Sequence, residues 1–325
     1  PEVQRTLDSP FDNQAIPLRL AAYVLGPADE GKTKVMLVAE ADPRALAFTP
    51  KDGHDTDTLE STFVISSTAG ESFHYQSRLD LSYPPEARAQ LEKTWLPVQR
   101  PFELPPGVYQ AHFALKDIGQ GRMGSVTHAF EVEGSQRLRV TTPVLTDALV
   151  PGTGDPRPAL LARRTFAAGS RLYGQFEVYG AQPDPATGQP RVSAGHVLRR
   201  TDGTILSRLE PTPMPPNPEG QITRLLAISL RTAAQGPHEL ELTVRDDVAN
   251  TVVELTEPFE VQGTAPPATT PAAAPAPPAL SVTQDASGYR QLVSSYASRP
   301  QDAALSLARW PAGTRRGAAQ AFKKE

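Results

Sequence analysis

The segment GVYQAHFALKD at residues 107–117, followed by FEV at residues 130–132, decides the fold predicted for this chain. The same landmarks return at residues 236–246 and 259–261, where the sequence is GPHELELTVRD and then FEV. In both copies the aspartate lies ten positions after the opening glycine, and the closing phenylalanine lies thirteen positions after the aspartate. Landmarks that recur at the same offsets indicate two tandem units of one fold.

Both copies alternate apolar and polar residues with a period of two. Tyr109, Phe113 and Leu115 share one phase in the first copy, as do the apolar residues of 240–244 in the second. Such alternation is typical of a strand with one buried face, and turn residues separate the two arms of each copy. Each copy is therefore predicted to be a β-hairpin, forming the last two strands of a β-sandwich. Strand and turn lengths then explain the fixed offsets, so a ligand site at Asp117 or Asp246 is the weaker interpretation.

Composition narrows the class of protein. The chain has 325 residues, 34 prolines, no cysteine and a formal net charge of −4. Without cysteine there can be no disulfide and no thiolate-ligated metal, and the charge balance gives no indication of a nucleic-acid partner. No apolar run approaches the roughly 18 residues of a membrane helix, so we expect neither a membrane span nor a signal peptide in this piece. Because the sequence begins with Pro1, we expect a piece of a longer polypeptide.

Four regions are predicted along the chain. Two tandem immunoglobulin- or fibronectin-like β-sandwich domains occupy residues 1–135 and 136–263, which makes the fold class mainly β. A Pro/Ala-rich linker follows at 264–284, since a segment of this composition cannot bury a core. Residues 285–325 are predicted to form a short helical pair, truncated from a repeat domain.

Local patterns supply the strands of each domain. The first domain has strand patterns at 16–25, 34–40, 59–66 and 72–81, before the repeated hairpin. In the second, the turn Thr201–Thr204 contains Asp-Gly between apolar runs, a strong hairpin signal. The prolines between 211 and 218 predict a stiff surface loop, and Pro258 predicts an edge position or a bulge.

One segment matches a phosphate-binding motif. Residues Gly26–Thr33 read GPADEGKT and satisfy the pattern G-x-x-x-x-G-K-[ST]. That loop works by aiming the N-terminus of a following helix at the phosphates, but here an apolar strand pattern follows Thr33. Asp29 and Glu30 would also repel phosphate. The segment is therefore interpreted as a hairpin connection, with nucleotide binding as a remote alternative.

No catalytic, cofactor-binding or metal-binding residue is predicted. The acidic residues between 52 and 60 (Asp52, Asp55, Asp57 and Glu60) are interpreted as a solvated loop because their spacing fits no EF-hand. Ca²⁺ binding by this loop is left open. The six histidines are scattered and lack zinc-site spacing, and His112 and His196 are expected to face solvent. There is no thiol nucleophile and no G-x-S-x-G elbow, so we expect no enzyme.

Several further stretches resemble a known family. They are Ser9–Asp12, Ile16–Tyr23, Pro105–Tyr109 and Asp117–Val126 in the first unit, and Arg164–Phe166, Gln175–Tyr179 and Arg200–Gly203 in the second. Together they resemble the β-domain region that follows the integrin-like domain in VWFA-related proteins of the acidobacterial type. Near the end of the chain, Tyr289, Leu292 and Tyr296 resemble part of a tetratricopeptide unit. The resemblance implies a secreted or envelope-associated adhesion or scaffold protein, whose metal-dependent adhesion motif is not found in this chain.

The expected function is that of a non-enzymatic structural or interaction module of a larger bacterial envelope or secreted protein. Protein partners are expected, with sheet edges and long loops as contact surfaces. The alternative is a carbohydrate- or polymer-binding module, for which Tyr75, Tyr83, Trp95 and Tyr179 are the candidate exposed aromatic residues.

Overall fold

The computed structural model describes residues 13–134, 137–150 and 157–263. The predicted linker at 264–284 and the predicted helices at 285–325 lie outside the described residues. The described part is mainly β, as the alternation predicted. No helix within it is long and apolar enough to cross a membrane.

Residues 13–134 of the described chain contain eight strands and one short α-helix. They are β1 (Leu18–Pro27), β2 (Thr33–Ala41), β3 (Thr49–Lys51), β4 (His54–Ser67), β5 (Ser72–Tyr83), α1 (Pro85–Leu91), β6 (Leu96–Leu104), β7 (Gly107–Asp117) and β8 (Met123–Val132). Strands β1, β2 and β6 form one sheet in the order β1-β2-β6. The second sheet has the order β3-β4-β7-β8, with β5 paired to β4.

The described residues 137–150 and 157–263 contain eleven strands. They are β9 (Arg139–Val140), β10 (Val144–Thr146), β11 (Leu149–Val150), β12 (Arg157–Pro158), β13 (Thr165–Ala167), β14 (Arg171–Tyr179), β15 (Val192–Arg200), β16 (Ile205–Pro213), β17 (Ile222–Ser229), β18 (Gly236–Asp246) and β19 (Thr251–Gln262). One sheet has the order β10-β14-β17, with β9 also on β14, and the other has the order β13-β19-β18-β15-β16. Strands β11 and β12 form a separate pair.

Both repeated segments form the predicted hairpins, in matching register. Gly107 pairs with Val132 at the open end of β7–β8, and Gly236 pairs with Val261 at the open end of β18–β19. Apolar residues of the shared phase, such as Phe113 and Leu242, are buried. The prediction of two equivalent hairpins is therefore confirmed.

Two large apolar clusters make up most of the core. The first draws on β1, β2, β4, β6 and β7 and includes Phe63 and Phe113, whose ring centroids are 4.5 Å apart. The second draws on β14, β15, β17, β18 and β19 and includes Phe166 and Phe259. Each cluster lies between two sheets, so each half of the described chain buries its own core. We refer to residues 13–134 and 137–263 below as the first and second units.

Two local predictions were wrong, and one strand was missed. Strand β6 was not predicted because Pro97 and Pro101 interrupt its pattern, yet it lies at a sheet edge, where proline is tolerated. Strand β16 continues through Pro211 to Pro213, where a loop was expected, and it too is an edge strand. The acidic residues 55–60 lie on β4 and not in a loop.

Candidate functional site

The phosphate-loop match at Gly26–Thr33 is a hairpin connection, as predicted. It joins β1 to β2 through a single 3-10 turn, Asp29–Gly31, and an antiparallel strand follows directly. The Lys32 ammonium lies 3.2 Å from the Glu30 carboxylate. This ion pair offsets the positive charge of Lys32 that would otherwise attract a phosphate group. No helix N-terminus faces this loop in the described chain, so the residues have the motif's letters without its anion-binding geometry.

The acidic residues between 52 and 60 do not converge on one point. Asp52 lies in the turn between β3 and β4 with a φ of 51°, while Asp55, Asp57 and Glu60 lie along β4. Burial and the nearby Asp117 raise the pKa of Asp57. Within the described ranges, no group of three or more His, Asp or Glu side chains could hold a metal ion.

Asp117 and Asp246 bond to backbone, as predicted, and each also holds a second loop. One oxygen of Asp117 accepts from the N–H of Gln120 in its own turn, and the other accepts from Ala47 at 2.9 Å. Asp246 accepts from Val248 and Ala249 in its own turn and from Gln182, 64 residues away, at 2.7 Å. These carboxylates therefore act as structural clamps at equivalent points of the two units.

The repeat also conserves an aromatic stack inside each unit. Tyr109 stacks on Phe130 with ring centroids 5.5 Å apart, and His238 stacks on Phe259 at 5.6 Å, both with an interplanar angle of 20°. The Tyr109 hydroxyl donates to the Pro105 carbonyl, whereas Nδ1 of His238 lies 2.9 Å from the Gly236 carbonyl oxygen. A histidine thus takes the place of the tyrosine in the second unit.

The structure places three of the four candidate aromatic residues in covered or partly covered positions. Tyr83 is buried, contrary to the expectation that it is exposed. Arg100 covers the Tyr75 ring at 3.5 Å, and Arg19 covers the ring of Trp95 at 3.6 Å. A sugar that stacks on an aromatic ring needs a bare face, so only the opposite face of each of these two rings could serve the carbohydrate-binding alternative.

The contact between the two units has an apolar centre. Strands β1 and β2 bury both faces: one faces the first core, and the other presents Ala21, Tyr23, Met36 and Val38 to the second unit. Ala162, Leu160 and Val144 of the second unit pack against this outer face. A sheet face that meets water is usually polar. The apolar outer face of β1 and β2 is therefore explained by its burial against the second unit.

A polar cluster surrounds the fully buried Tyr23 at this contact. The Tyr23 hydroxyl donates to the Leu161 carbonyl at 2.6 Å and accepts from the Arg164 guanidinium at 3.0 Å. Arg164 also lies 3.8 Å from the carboxylate of Glu257 on β19. Burial raises the pKa of Glu257 to about 6, although Arg164 opposes the shift. Burial, with a smaller contribution from Arg164, lowers the pKa of His128 on β8.

A second buried carboxylate joins the units beside this cluster. Glu40 on β2 accepts from the Arg163 N–H at 3.2 Å and lies 3.8 Å from the Arg19 guanidinium. Burial raises the pKa of Glu40, against the influence of its hydrogen bonds and of both arginines. Arg163 in turn pairs with Asp147, so the network continues into the second unit.

Further hydrogen bonds and one close approach join the two units around the apolar centre. Val24 and Thr142 are joined by two hydrogen bonds, from the Thr142 N–H to the Val24 carbonyl and from the Val24 N–H to the Thr142 hydroxyl. Arg139 donates to the Thr33 hydroxyl at 2.8 Å. At Gly26 a Cβ would lie 2.5 Å from the Tyr179 hydroxyl, so the first unit approaches Tyr179 too closely for a side chain there. The contact is thus apolar at its centre and hydrogen-bonded around it.

A cleft of about 550 Å³ opens in the second unit between the edge strands β16 and β17. Its lining includes His196, Leu206 and Leu209 from one sheet and Ile228 from the other, with Arg208 and Arg231 among its polar residues. Its volume is within the range of small-ligand and peptide pockets. His196 was expected to face solvent, but it lies on the core-facing side of β15, between the buried Ala194 and Leu198.

Sequence reasoning missed both the contact between the units and the cleft. Tyr23 and Arg164 are 141 residues apart, and a single sequence carries no signal that pairs them. One signal was present: β1 and β2 read as nearly continuous apolar runs, which is typical of strands buried on both faces. The cleft depends on which strands end the sheets, and alternation alone does not determine strand order.

Comparisons with known proteins give limited information. No family model and no curated protein matches the chain. Among solved structures, the chain is similar to a candidate beta-galactosidase from Bacteroides fragilis, with a TM-score of 0.28 and 11% identity over 72% of this chain. The matched region spans 33% of that structure. The resemblance to VWFA-related proteins therefore stays a prediction.

Proposed function

We propose that this chain is a non-enzymatic structural and interaction module of a larger bacterial envelope or secreted protein, which spaces and presents binding domains. The observation that supports this most is the contact between the two units. Tyr23 is fully buried there, with its hydroxyl satisfied by Leu161 and Arg164. A spacer must keep its parts in one relative orientation, and a contact of this kind provides that.

The physical reason lies in the cost of opening the contact. Burying one large side chain is worth about 2 kcal/mol, and the apolar cluster around Tyr23 contains several such side chains. Opening would also break the hydrogen bonds between Val24 and Thr142, between Arg164 and Tyr23, and between Arg163 and Glu40. Many small interdomain contacts in proteins lack such a centre and permit relative motion.

Sheet edges provide the contact surfaces for protein partners. In the described chain β5 hydrogen-bonds to β4 alone and β16 to β15 alone, so each leaves one row of backbone groups unpaired. Such rows accept additional strands from other polypeptides. The proposal therefore combines a fixed internal geometry with open edges at its surface.

The finer architecture belongs to the same proposal. We infer that each unit is an immunoglobulin-like sandwich and that the chain is related to the β-domain region of VWFA-related proteins. Each unit has two sheets around one core and closes on an equivalent hairpin, which supports this inference.

Distance measurements between the two hairpin tips test the spacer role. The chain has no cysteine, so Gln120→Cys and Ala249→Cys, at equivalent exposed turn positions, introduce two unique labelling sites. Single-molecule energy transfer between them is expected to give one narrow distance distribution. The double substitution Tyr23→Phe with Arg164→Met is expected to broaden it.

A matched control separates the contact between units from general loss of charge. Arg199 makes ion pairs with Glu239 and Glu241 inside the second unit, so Arg199→Met should leave the distribution narrow. A broad distribution in the unsubstituted chain would contradict the spacer role, because the units would then move independently.

A further inference from the structure

The cleft between β16 and β17 leaves a core-facing side chain uncovered. Leu209 pairs with His196 across the strands, and directly opposed residues of antiparallel strands point to the same side of the sheet. His196 points toward the core, so Leu209 does as well. Leu209 is nevertheless 40% exposed. An apolar side chain from outside would complete the core at this point.

His196 gives an independent indication of a ligand. It is 9% exposed, it lines the cleft, and its Nδ1 has no hydrogen-bond partner. Buried polar atoms are nearly always satisfied, so an unpaired imidazole nitrogen at the wall of the cleft indicates a partner that the described chain does not itself supply. Burial, with a smaller contribution from Arg224, lowers the pKa of His196, which keeps the imidazole neutral near pH 7.

The opposite end of the same gap is closed. Arg224 on β17 donates to the carbonyl oxygens of Ala194, Thr212 and Pro213, which joins the two sheets there. Pro211 and Pro213 also lack the N–H groups that an added strand needs. The segment of β16 left open to pairing is therefore residues 205–210.

The charges at the cleft indicate the chemistry of the occupant. Arg208 and Arg231 both line it. Arg208 lies 3.7 Å from Glu210, while Arg231 makes no ion pair with any residue in the described ranges. A carboxylate on the occupant would complement this charge, and an extended backbone would pair with the open edge.

We propose that the cleft binds an extended segment of a partner polypeptide, which adds as a strand along residues 205–210 of β16. One apolar side chain of that segment packs against Leu209 and Ile228, and an acidic side chain pairs with Arg231. This inference rests on the proposed interaction role. The energy-transfer measurement involves no peptide, so failure of one proposal is distinguishable from failure of the other.

Selection from a phage-displayed library of random dodecapeptides tests the site. On the unsubstituted chain the selection is expected to enrich alternating apolar sequences that contain Asp or Glu and lack proline. Selection on Arg231→Glu is expected to replace the acidic residue with Lys or Arg. A selected peptide, made synthetically, should bind Leu209→Lys at least about tenfold more weakly and should protect the amides of residues 205–210 from hydrogen exchange.

Two controls make the result specific to the cleft. Leu225→Lys removes an equally exposed leucine of β17 that does not line the cleft, and it should leave affinity unchanged. The thermal unfolding of Leu209→Lys should match that of Leu225→Lys, which shows that the fold is intact.

Three outcomes would overturn the proposal. They are the absence of enrichment, enrichment of peptides that protect a different edge such as β5, and enrichment that Arg231→Glu does not alter. A fourth is a dimer of the chain that Leu209→Lys converts to monomer, since the occupant would then be a second copy of this chain.

Discussion

At the scale of single residues, two aspartates connect sequence spacing to stability. Asp117 and Asp246 end equivalent strands, and each accepts backbone hydrogen bonds both from its own turn and from a distant loop. The turn bonds follow from sequence, because aspartate commonly bonds the backbone two or three residues onward. The bonds to Ala47 and Gln182 do not, because they depend on how loops from elsewhere in the chain return to the hairpin.

We expect Asp246→Ala to lower the free energy of unfolding by about 3 kcal/mol, because three backbone N–H donors lose a charged acceptor. Although burial opposes it, these donors lower the pKa of Asp246, which shows that they favour the ionised form. Urea denaturation measures the change. Asp202→Ala is the matched control, because Asp202 accepts one such bond from Thr204 in an exposed turn. Equal losses in both variants would contradict the clamp interpretation.

Lys32 allows a direct test of the phosphate-loop match. Calorimetric titration with MgATP is expected to show no saturable heat for the unsubstituted chain, because the loop is a hairpin connection without a helix behind it. Lys32→Ala should give the same flat titration. Saturable binding that disappears in Lys32→Ala would show that the loop rearranges around phosphate.

At the scale of elements, a bulge sets the position of β16. The register between β15 and β16 shifts between Ala194 and His196, so Gly195 lies against the bulged chain. A Cβ on Gly195 would be 2.5 Å from the Leu209 carbonyl oxygen and 2.8 Å from the Pro211 nitrogen. Those are backbone atoms and cannot move aside cheaply. Gly195 thus allows β16 to run close enough to form the wall of the cleft.

Gly195→Ala is expected to destabilise the chain by about 2 kcal/mol through overpacking and to speed hydrogen exchange of the β16 amides. Exchange measured by mass spectrometry would resolve the effect by strand. Gly174→Ala on β14 is the control, since its Cβ would come no closer than 3.4 Å to Leu145. Unchanged exchange in β16 would show that the bulge can absorb a methyl group.

Elements were predictable from sequence where they were alternating or bounded by strong turns. The hairpins β7–β8 and β18–β19 followed from alternation, and β15–β16 followed from Asp202-Gly203. Strand β6 and the end of β16 were missed because proline breaks the pattern of an edge strand as it would break that of a loop. Strand order could not be predicted, and the cleft depends on it.

At the scale of the whole molecule, buried carboxylates make stability depend on pH. The pKa of Glu257 is raised to about 6 from its ordinary value of 4.5. A raised carboxyl pKa means that the folded state holds the proton more tightly, so its contribution to stability is present below pH 4.5 and is lost as pH rises through 6. We expect the contribution of Glu257 to the unfolding free energy to fall by about 2 kcal/mol over this interval, while His128 and His196, whose pKa values are lowered, act in the opposite direction.

Urea denaturation at a series of pH values between 4 and about 8 measures this dependence. Glu257→Gln should flatten it, and Glu40→Gln should flatten it further, because burial raises the pKa of Glu40 too. Glu254→Gln, at an exposed position of the same strand, should leave it unchanged. A pH dependence that is the same in Glu257→Gln as in the unsubstituted chain would contradict this assignment.

The contact between the two units was not predictable from one sequence. The repeat showed that two units exist, but Tyr23, Arg164 and Glu257 lie in three segments far apart along the chain. Glu257 and His128 occupy equivalent positions of the repeat, and both lie near Arg164. Their equivalence could be read from the sequence, whereas their convergence on one arginine requires the packing of the units.

The replacement of Tyr109 by His238 gives each unit its own spectroscopic label. Both rings lie parallel to a phenylalanine at close range, Tyr109 over Phe130 and His238 over Phe259. The ring current of each phenylalanine displaces the proton resonances of its partner, and tyrosine and histidine protons resonate in different regions of the spectrum. A single proton spectrum recorded during denaturation therefore follows the two units separately, and shows whether one can melt while the other remains folded.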